Sequence, residues 1–295
     1  MNAGVMSKAV KPVLALAVCA LTFSATMPTA AEQRASEAST PAGQAPPQVP
    51  GGGGRGRGRG PAIPLGPART TAPVDLTGNW VSVVTEDWQW RMMTPKKGDY
   101  ASVPLTPAGR AEADKWTEAQ DGMCQAFGVG GIMRMPGRLR ISWQDDNTLK
   151  IETDAGQQTR LLHFAAPGGP APVSAPGPRS LQGWSVAEWQ RSGGAFDAFL
   201  ERGGGAGGRG GRWGGLRVVT TGHSGGWLRR NGVPYSQNAT ITENFTRISH
   251  PEGGDWFVVT TIVDDPQYLA QPFITSSNFK KEADGAKFKP VACRS

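Results

Sequence analysis

The sequence predicts a mainly β protein, an antiparallel up-and-down barrel with one short helix. Two observations predict it. First, short runs of five to eight residues alternate apolar with polar side chains and are separated by tight polar turns, the pattern of β-hairpins in series. Second, only one segment carries clear helix-start signals. Full closure of the sheet would also remove the exposed edges that Val-, Ile- and Thr-rich strands otherwise present.

The predicted strands lie between residues 74 and 281 of the 295-residue chain. Residues 138–144, 148–153 and 158–164 are joined by short turns containing Asp, Asn or Gly. An opening strand precedes them and five further strands follow. In order, the nine segments are 74–85, 138–144, 148–153, 158–164, 183–190, 216–221, 238–248, 256–263 and 273–281. Nine strands of this length suit a small closed barrel with room for one ligand.

The one predicted helix begins after Thr106. Thr106 is a favourable cap, and Pro107 occupies the first helical position, where its missing N–H costs nothing. The residues that follow are mostly polar, with Trp116 as the apolar anchor. We therefore expect the helix to lie over one end of the barrel and not inside it.

The ends of the chain differ in composition from this domain. Residues 1–31 combine a basic start, an apolar run and a small-residue end, which is typical of a signal peptide. We expect a disordered Pro/Gly/Arg linker at 32–73 and the barrel domain at 74–295, with low-complexity loops at 165–180 and 203–215. This organisation predicts a periplasmic or secreted bacterial protein. No later run approaches the roughly 20 apolar residues of a spanning helix, so we expect no integral membrane segment in the mature protein.

The formal charge of +7 raises the question of a nucleic-acid partner. Residues 1–73 carry seven Lys or Arg against two Glu, so the remaining 24 basic and 22 acidic residues leave the predicted domain nearly neutral. The excess charge belongs to Gly/Arg repeats. Because such segments cannot bury apolar surface, we interpret them as solvated tethers and expect no nucleic-acid partner.

Two cysteines remain once the predicted signal peptide, with Cys19, is removed. An even pair in an oxidising compartment favours a disulfide. We therefore predict a bond between Cys124 and Cys293.

Three charged side chains share strand faces with apolar residues, because residues two apart point to the same side of a strand. Arg160 alternates with Leu162 and Phe164, Glu188 with Trp184 and Val186, and Glu243 with Ile241 and Phe245. An unpaired buried charge is costly. The first interpretation is a structural network in which Arg160 pairs with one or both glutamates. The second is a catalytic site, in which Arg160 binds an anionic or carbonyl oxygen and one glutamate is the general acid or base.

Two loops carry polar and aromatic residues suited to line a pocket. Tyr235 and Ser236 follow Asn-Gly-Val-Pro, and Tyr268 follows Asp-Asp-Pro-Gln. We expect these residues to bind a ligand at a rim of the barrel, although ordinary packing would also use Pro-bound turns with aromatics.

Two motif matches lack the context that their chemistry needs. Residues 222–226 match G-x-S-x-G, but no helix is predicted after them, as a hydrolase nucleophile would require. Residues 203–208 match a dinucleotide fingerprint without a preceding strand. The three histidines have no metal-site spacing, so we predict no cofactor and no metal.

Several short motifs carry a resemblance to known families. Residues 76–80, Leu-Thr-Gly-Asn-Trp, resemble the Gly-x-Trp opening strand of lipocalins and the wider calycin-like barrels, where the Trp plugs the closed end. Residues 74–293 resemble an uncharacterised family of secreted bacterial proteins, in which His tends to occupy the position of Tyr235. The matching segments are 105–109, Cys124 with its Gly-rich loop, the Trp-bearing strand 183–189, 216–221, 232–236, 243–245 and 265–268. The resemblance implies one barrel, and we add Trp189 to the expected ligand-binding residues.

These observations together favour a periplasmic or secreted barrel that binds a small, largely apolar or amphipathic molecule carrying a polar group. Two alternatives remain open. One is an enzyme on the same barrel, a hydratase, isomerase or cyclase that uses Glu243 or Glu188 with Arg160 and Tyr235. The other is an envelope interaction protein that acts through its Gly/Arg segments.

Overall fold

The computed structural model describes residues 66–170, 177–191, 214–249 and 253–295. Thirteen strands lie in these ranges, numbered here in chain order. They are β1 Gly78–Val83, β2 Arg138–Asp145, β3 Thr148–Thr153, β4 Ala155–Gly156, β5 Thr159–Phe164, β6 Trp184–Arg191, β7 Gly214–Thr221, β8 Gly226–Arg229, β9 Val233–Tyr235, β10 Thr240–Ser249, β11 Asp255–Asp264, β12 Phe273–Glu282 and β13 Val291–Ala292.

Three short α-helices accompany the strands: α1 Ala68–Thr71, α2 Trp88–Arg91 and α3 Pro107–Ala113. Single 3-10 turns lie at Glu118–Gln120, Cys124–Phe127 and Ile132–Arg134. The start of α3 is as predicted, because the Thr106 hydroxyl oxygen accepts the Gly109 N–H at 3.0 Å and Pro107 follows the cap. Within the described residues, no helix is long and apolar enough to cross a membrane.

Nine of the strands close into a barrel in the order β1-β12-β11-β10-β7-β6-β5-β3-β2, and β2 pairs back onto β1. The predicted mainly β fold and closed barrel are confirmed, and the nine barrel strands fall on the nine predicted segments. The remaining strands form two small sheets, an antiparallel β8–β9 hairpin and a parallel β4–β13 pair.

The barrel is not antiparallel throughout, which corrects the expectation of a simple up-and-down meander. β5 and β6 run parallel, whereas the other eight neighbouring pairs of the described barrel are antiparallel. The reason is one of parity. A closed ring whose neighbours all run antiparallel needs an even number of strands, so nine strands require at least one parallel pair. The connection at 165–183 must therefore return the chain to the end of the barrel where β5 began.

The barrel interior is filled by side chains from alternating positions of each strand. β11 shows the pattern clearly, with Phe257, Val259, Thr261 and Val263 buried between partly exposed neighbours. Aromatic rings occupy part of the interior: Phe257 lies 4.6 Å from Trp80 and 4.8 Å from Phe279, centroid to centroid. Small barrels commonly fill their interior in this way, so a ligand site is to be sought at the ends of the barrel.

The predicted linker overlaps the folded part at its carboxyl end. Residues 66–73 include α1, and Ala68 is buried against the core. The Ala68 carbonyl accepts the Trp189 Nε1–H at 2.9 Å. The packed structure therefore begins before Val74. The predicted signal peptide, the rest of the linker and most of the 203–215 loop lie outside the described residues, and β7 starts at Gly214.

Candidate functional site

Two of the predicted site residues form a buried ion pair inside the barrel. Arg160 on β5 donates from Nη1 and Nη2 to Oε1 and Oε2 of Glu243 on β10, at 3.0 and 2.5 Å. Both side chains are 0% exposed. A carboxylate held at both oxygens by one guanidinium has satisfied much of its hydrogen-bonding capacity, and buried charges are retained in proteins chiefly when paired in this way.

Polar side chains surround this pair within the barrel. The Ser185 and Thr220 hydroxyls lie 2.7 Å apart, and Thr261 lies opposite Glu243 in the register of β10 and β11. These three side chains are buried, as is Ser277. The pair lines neither of the two clefts described below. The arrangement agrees with the structural interpretation, in which Arg160 and Glu243 stabilise the centre of the barrel.

Glu188 does not join them, and the expected inward orientation of this residue is wrong. Its side chain is 55% exposed and accepts from Arg217 Nη1 at 3.0 Å on the outer surface. The inward residues of β6 are Ser185, Ala187 and Trp189. The strand places its small residues inside, and the apolar ring of Trp184 is covered on the outside by His163, 3.8 Å away. The alternation of apolar residues in β6 therefore predicted the wrong inward face, the one that carries Trp184 and Glu188.

The two loops expected to line a pocket do meet, and Asp265 joins them. The buried Asp265 carboxylate accepts the Ser236 N–H at 2.6 Å, the Ser236 hydroxyl at 2.8 Å and the Gln267 N–H at 3.1 Å. The loop that ends in Tyr235 and Ser236 is thereby fastened to the loop that carries Tyr268. The two donors of Ser236 fix the relative position of the loops, because each lost bond would leave a buried polar group unpaired.

A cleft of about 680 Å³ lies between these loops, the end of α3 and the segment after it. Its lining combines four aromatic side chains with polar ones, among them the charged Glu112 and Lys115. The lining includes Trp116, Gln125, Trp227, Tyr235, Ser236 and Tyr268. Three of the residues predicted to bind ligand, Tyr235, Ser236 and Tyr268, thus share one cleft at an end of the barrel.

Glycines allow the aromatic walls to approach the backbone. A Cβ on Gly130 would lie 2.8 Å from the Tyr235 ring, and a Cβ on Gly128 or Gly226 would collide with its hydroxyl. Gly232, at φ +79°, packs in the same way against Trp116, whose Cβ would be 2.4 Å from an added Cβ. Only glycine fits these places, so the Gly-rich loop after Cys124 is part of the cleft's construction.

Two donor groups of the cleft residues have no hydrogen-bond partner among the residues that the structure describes. They are the indole Nε1–H of Trp116 and the hydroxyl of Tyr235, on side chains that are 3% and 2% exposed. Burial raises the pKa of Tyr235, and the nearby Gly130 amide and the Arg160 charge oppose that rise only in part. The hydroxyl therefore keeps its proton and remains a donor. Buried indole and phenol donors are usually paired, so two unpaired ones in one cleft are notable.

His223 supports Tyr235 from behind. The Gly225 N–H donates to its Nδ1 at 3.2 Å, so Nε2 carries the proton and donates to the Ala239 carbonyl at 2.8 Å. The imidazole is completely buried and meets the Tyr235 ring edge to face, 5.3 Å away. Burial lowers the pKa of His223, with Arg179 acting in the same direction. The neutral ring therefore has a packing and orienting role.

The Cys124–Cys293 disulfide predicted from the sequence is present. Cys124 lines the cleft, and the chain around Cys293 is also tied to it through the backbone: the Cys124 N–H donates to the Arg294 carbonyl at 2.8 Å and the Arg294 N–H to the Gly122 carbonyl at 2.9 Å. The disulfide thus anchors one wall of the cleft to the end of the chain.

Trp189, near the end of β6, lines a second cleft that is separate from the first. This cleft, also about 680 Å³, lies between residues 69–77 and the ends of β2 and β3. The Trp189 indole N–H is already bound to Ala68, and its ring packs 5.0 Å from Phe164. Its polar atom is thus satisfied, in contrast to those of the first cleft.

The G-x-S-x-G match at 222–226 does not form a nucleophile elbow. β8 follows it where a helix would be required. Ser224 lines the first cleft, and its N–H donates to the Ser180 carbonyl at 2.9 Å. In the described ranges, no group of three or more His, Cys, Asp or Glu side chains is arranged to hold a metal ion.

Sequence reasoning found two of the cleft's loops, including the stretch that contains Asp265, but missed Trp227 in the lining and the supporting roles of Asp265 and His223. Asp265 was visible only as part of a Pro-containing turn, and two of its three bonds depend on Ser236, 29 positions away. The glycines at 128, 130 and 226 were a usable signal, because closely spaced glycines beside aromatic residues permit close ring-to-backbone contacts.

Comparison with known proteins finds no match: no family model, no curated protein and no solved structure matches this chain.

Proposed function

We propose that this protein binds a small, largely apolar molecule in the cleft between α3 and the loops that Asp265 joins. The observation that carries the proposal is the pair of unpaired donors, Trp116 Nε1 and the Tyr235 hydroxyl, on two side chains that line one cleft. Both atoms are buried, so a ligand reaches them only when the walls of the cleft adjust. A volume of about 680 Å³ lies within the roughly 300–1,000 Å³ range of small-molecule sites, which are typically apolar with a few placed polar groups.

The unpaired donors define the ligand's polar group. The Trp116 indole N–H can only be completed by an acceptor, and the Tyr235 hydroxyl, which keeps its proton, can donate to the same acceptor. A carbonyl or ether oxygen on a flat, apolar body fits this requirement. A strongly basic ligand does not fit, because its own N–H groups would face the hydrogen-bond donors of the cleft.

This proposal places the ligand at the end of the barrel and not within it, because the interior is filled around the Arg160–Glu243 pair. It includes the lipocalin-like character and the periplasmic or secreted location inferred from the sequence. The disulfide supports that location, since such bonds persist in oxidising compartments.

The test is native mass spectrometry of the protein purified from its source organism, followed by extraction and identification of any bound compound. The same compound is then titrated into the unliganded wild type and into three variants, Tyr235→Phe, Trp116→Phe and Tyr100→Phe. Tyr100 is the matched control, because its hydroxyl is bound to Asp114 and lies outside the cleft lining.

We expect Tyr235→Phe to cost the unliganded protein little stability, because the removed hydroxyl has no acceptor there and only the Gly130 amide beside it. Affinity should fall about tenfold, the loss of roughly one hydrogen bond. Trp116→Phe should behave likewise, and Tyr100→Phe should bind normally. Unchanged affinity in both cleft variants would reject this site, and a protein that stays empty after exposure to whole-cell extracts would reject the function.

A further inference from the structure

Arg229, at the end of β8, is a buried cation whose nitrogens are unpaired. Its side chain is 2% exposed, yet Nε, Nη1 and Nη2 have no hydrogen-bond partner within the described part of the chain. Among the described residues, its guanidinium group lies over the Trp90 ring, whose centroid is 4.5 Å from the guanidinium carbon. A cation–π contact favours the charge but leaves five N–H groups without acceptors.

A second guanidinium beside it is only half satisfied. Arg134, 5% exposed, donates from Nη2 to Asp87 Oδ2 at 2.9 Å, whereas its Nη1 has no partner among the described residues. Arg91 completes a row of three buried arginines, but it is fully engaged with Glu86 and the Arg134 carbonyl. Four guanidinium nitrogens, three of Arg229 and one of Arg134, therefore lack acceptors.

The charges around Arg229 also leave it under-compensated. Burial lowers the pKa of Arg229 to about 10, Arg134 adds to the effect, and Asp87 and Asp99 oppose it only in part. Both carboxylates have other partners: Asp87 binds Arg134, and Asp99 Oδ2 accepts the Trp90 indole N–H at 3.0 Å. Arg229 is still charged at neutral pH, and a buried charge without acceptors is a costly arrangement unless something binds it.

We propose that Arg229 and Arg134 form a binding site for a small oxyanion, a carboxylate or phosphate group, with the Trp90 ring behind the Arg229 guanidinium. The planar guanidinium group of an arginine matches both groups, because it can donate hydrogen bonds from two nitrogens to their oxygens at once. Neither Arg229, Arg134 nor Trp90 lines the cleft described above, so this site is independent of the proposed function.

The site lies just below the surface on one side. Asp87 is about one-third exposed and Trp90 is half-buried, and the neighbouring Trp88, Met92 and Met93 are exposed. The guanidinium nitrogens are themselves buried, so an anion that enters past α2 reaches them only when the side chains there move aside. The apolar side chains around this entrance favour an anion that carries an apolar substituent over a bare inorganic ion.

The test uses the full wild-type chain and follows the arginine Nε–Hε signals by ¹⁵N-correlated NMR. Sodium phosphate and sodium benzoate are titrated separately, with sodium chloride at equal ionic strength as the reference. We expect saturable shifts of the Arg229 and Arg134 signals with phosphate or benzoate, and a melting temperature that rises with the same anion. Benzoate should saturate at a lower concentration than phosphate.

Variants decide whether the response comes from this site. Arg229→Met keeps an apolar side chain against Trp90, and it should reduce the affinity at least tenfold while the protein remains folded. Arg217→Met, which removes an exposed arginine from the outer surface, should bind like the wild type. Shifts that grow linearly and equally in chloride would overturn the proposal without any variant, and so would a saturable response that survives in Arg229→Met.

Discussion

The Arg160 guanidinium and the Glu243 carboxylate form a two-point ion pair inside the barrel, between strands 83 positions apart in the chain. Because both side chains are 0% exposed, each charge depends on the other for compensation. The pair therefore links β5 to β10 at the centre of the fold, and it is the most sensitive point at which to test the interior.

We expect Glu243→Gln to lower the free energy of unfolding by about 3–5 kcal/mol, since it leaves the Arg160 charge buried and uncompensated. The double variant Arg160→Met/Glu243→Leu should recover most of that loss, because apolar replacements of a buried pair are often neutral. Urea unfolding followed by tryptophan fluorescence measures both. Arg217→Met breaks an exposed pair and should cost less than about 1 kcal/mol. A Glu243→Gln protein as stable as this control would contradict the interpretation.

The disulfide closes a loop between residues 169 positions apart. Replacing both cysteines, as in Cys124→Ser/Cys293→Ser, should lower the free energy of unfolding by about 5 kcal/mol on the chain-entropy account. Guanidinium unfolding of the oxidised wild type and the double variant gives the difference. Detection of two free thiols in the denatured, unreduced wild type would show that the bond does not form in solution.

The three hydrogen bonds accepted by the Asp265 carboxylate predict which substitutions cost more stability. Ser236→Ala removes one of the three donors to the carboxylate and should cost about 1–3 kcal/mol. Asp265→Asn should cost more, because the new amide N–H₂ must face the backbone N–H of either Ser236 or Gln267. Thermal unfolding ranks them, with Asp145→Asn in an exposed turn as the control. Equal losses for Ser236→Ala and Asp265→Asn would show that the loops are held by other contacts.

Stability should depend on pH through His223. Burial lowers the pKa of this histidine in the folded protein, so as the pH falls the unfolded chain takes up a proton first. The contribution is therefore complete above the ordinary pKa of about 6.5 and is lost as the pH falls below that value. His163 acts in the same direction, also through burial.

The measurement is the denaturant midpoint between about pH 7.5 and 4.5, a range that spans the ordinary histidine pKa, for the wild type, His223→Gln and His163→Gln. We expect the decline below pH 6.5 to be smaller in His223→Gln than in the wild type, with His163→Gln closer to the wild type because its ring is only half-buried. A wild type whose midpoint rises as the pH falls through this range would have the opposite sign and would contradict the assignment.

Local patterns were sufficient to predict the nine barrel strands, the capped start of α3 and the cysteine pair, but not α1, α2 or the short strands β4, β8, β9 and β13. They failed where distant segments decide the outcome. The sequence indicated nine strands and an antiparallel closed barrel, two statements that cannot both hold for a complete ring. Nothing in β5 or β6 alone reveals that they run parallel, because the relative direction of two strands is not encoded in either strand.

The candidate site could likewise be predicted from local patterns but not where distant segments decide. Tyr235, Ser236 and Tyr268 could be predicted because Pro-bound turns with aromatic residues are local features. Glu188 was misplaced because the inward face of β6 is set by its register with β7, where Ala187 meets Val218. The unpaired state of the Tyr235 hydroxyl could not be predicted at all, since it depends on which atoms the folded chain leaves out of reach.

One feature of the topology governs how this fold can form. β1 pairs with β2 on one side and with β12 on the other, so the first barrel strand is completed only by the last. During synthesis, the edge of β1 that pairs with β12 stays unpaired until nearly the whole domain has been made. Contacts so distant in sequence slow folding and lengthen the exposure of an unpaired edge. Export in an unfolded state, or protection by a chaperone, would suit a barrel that closes at the final step of its assembly.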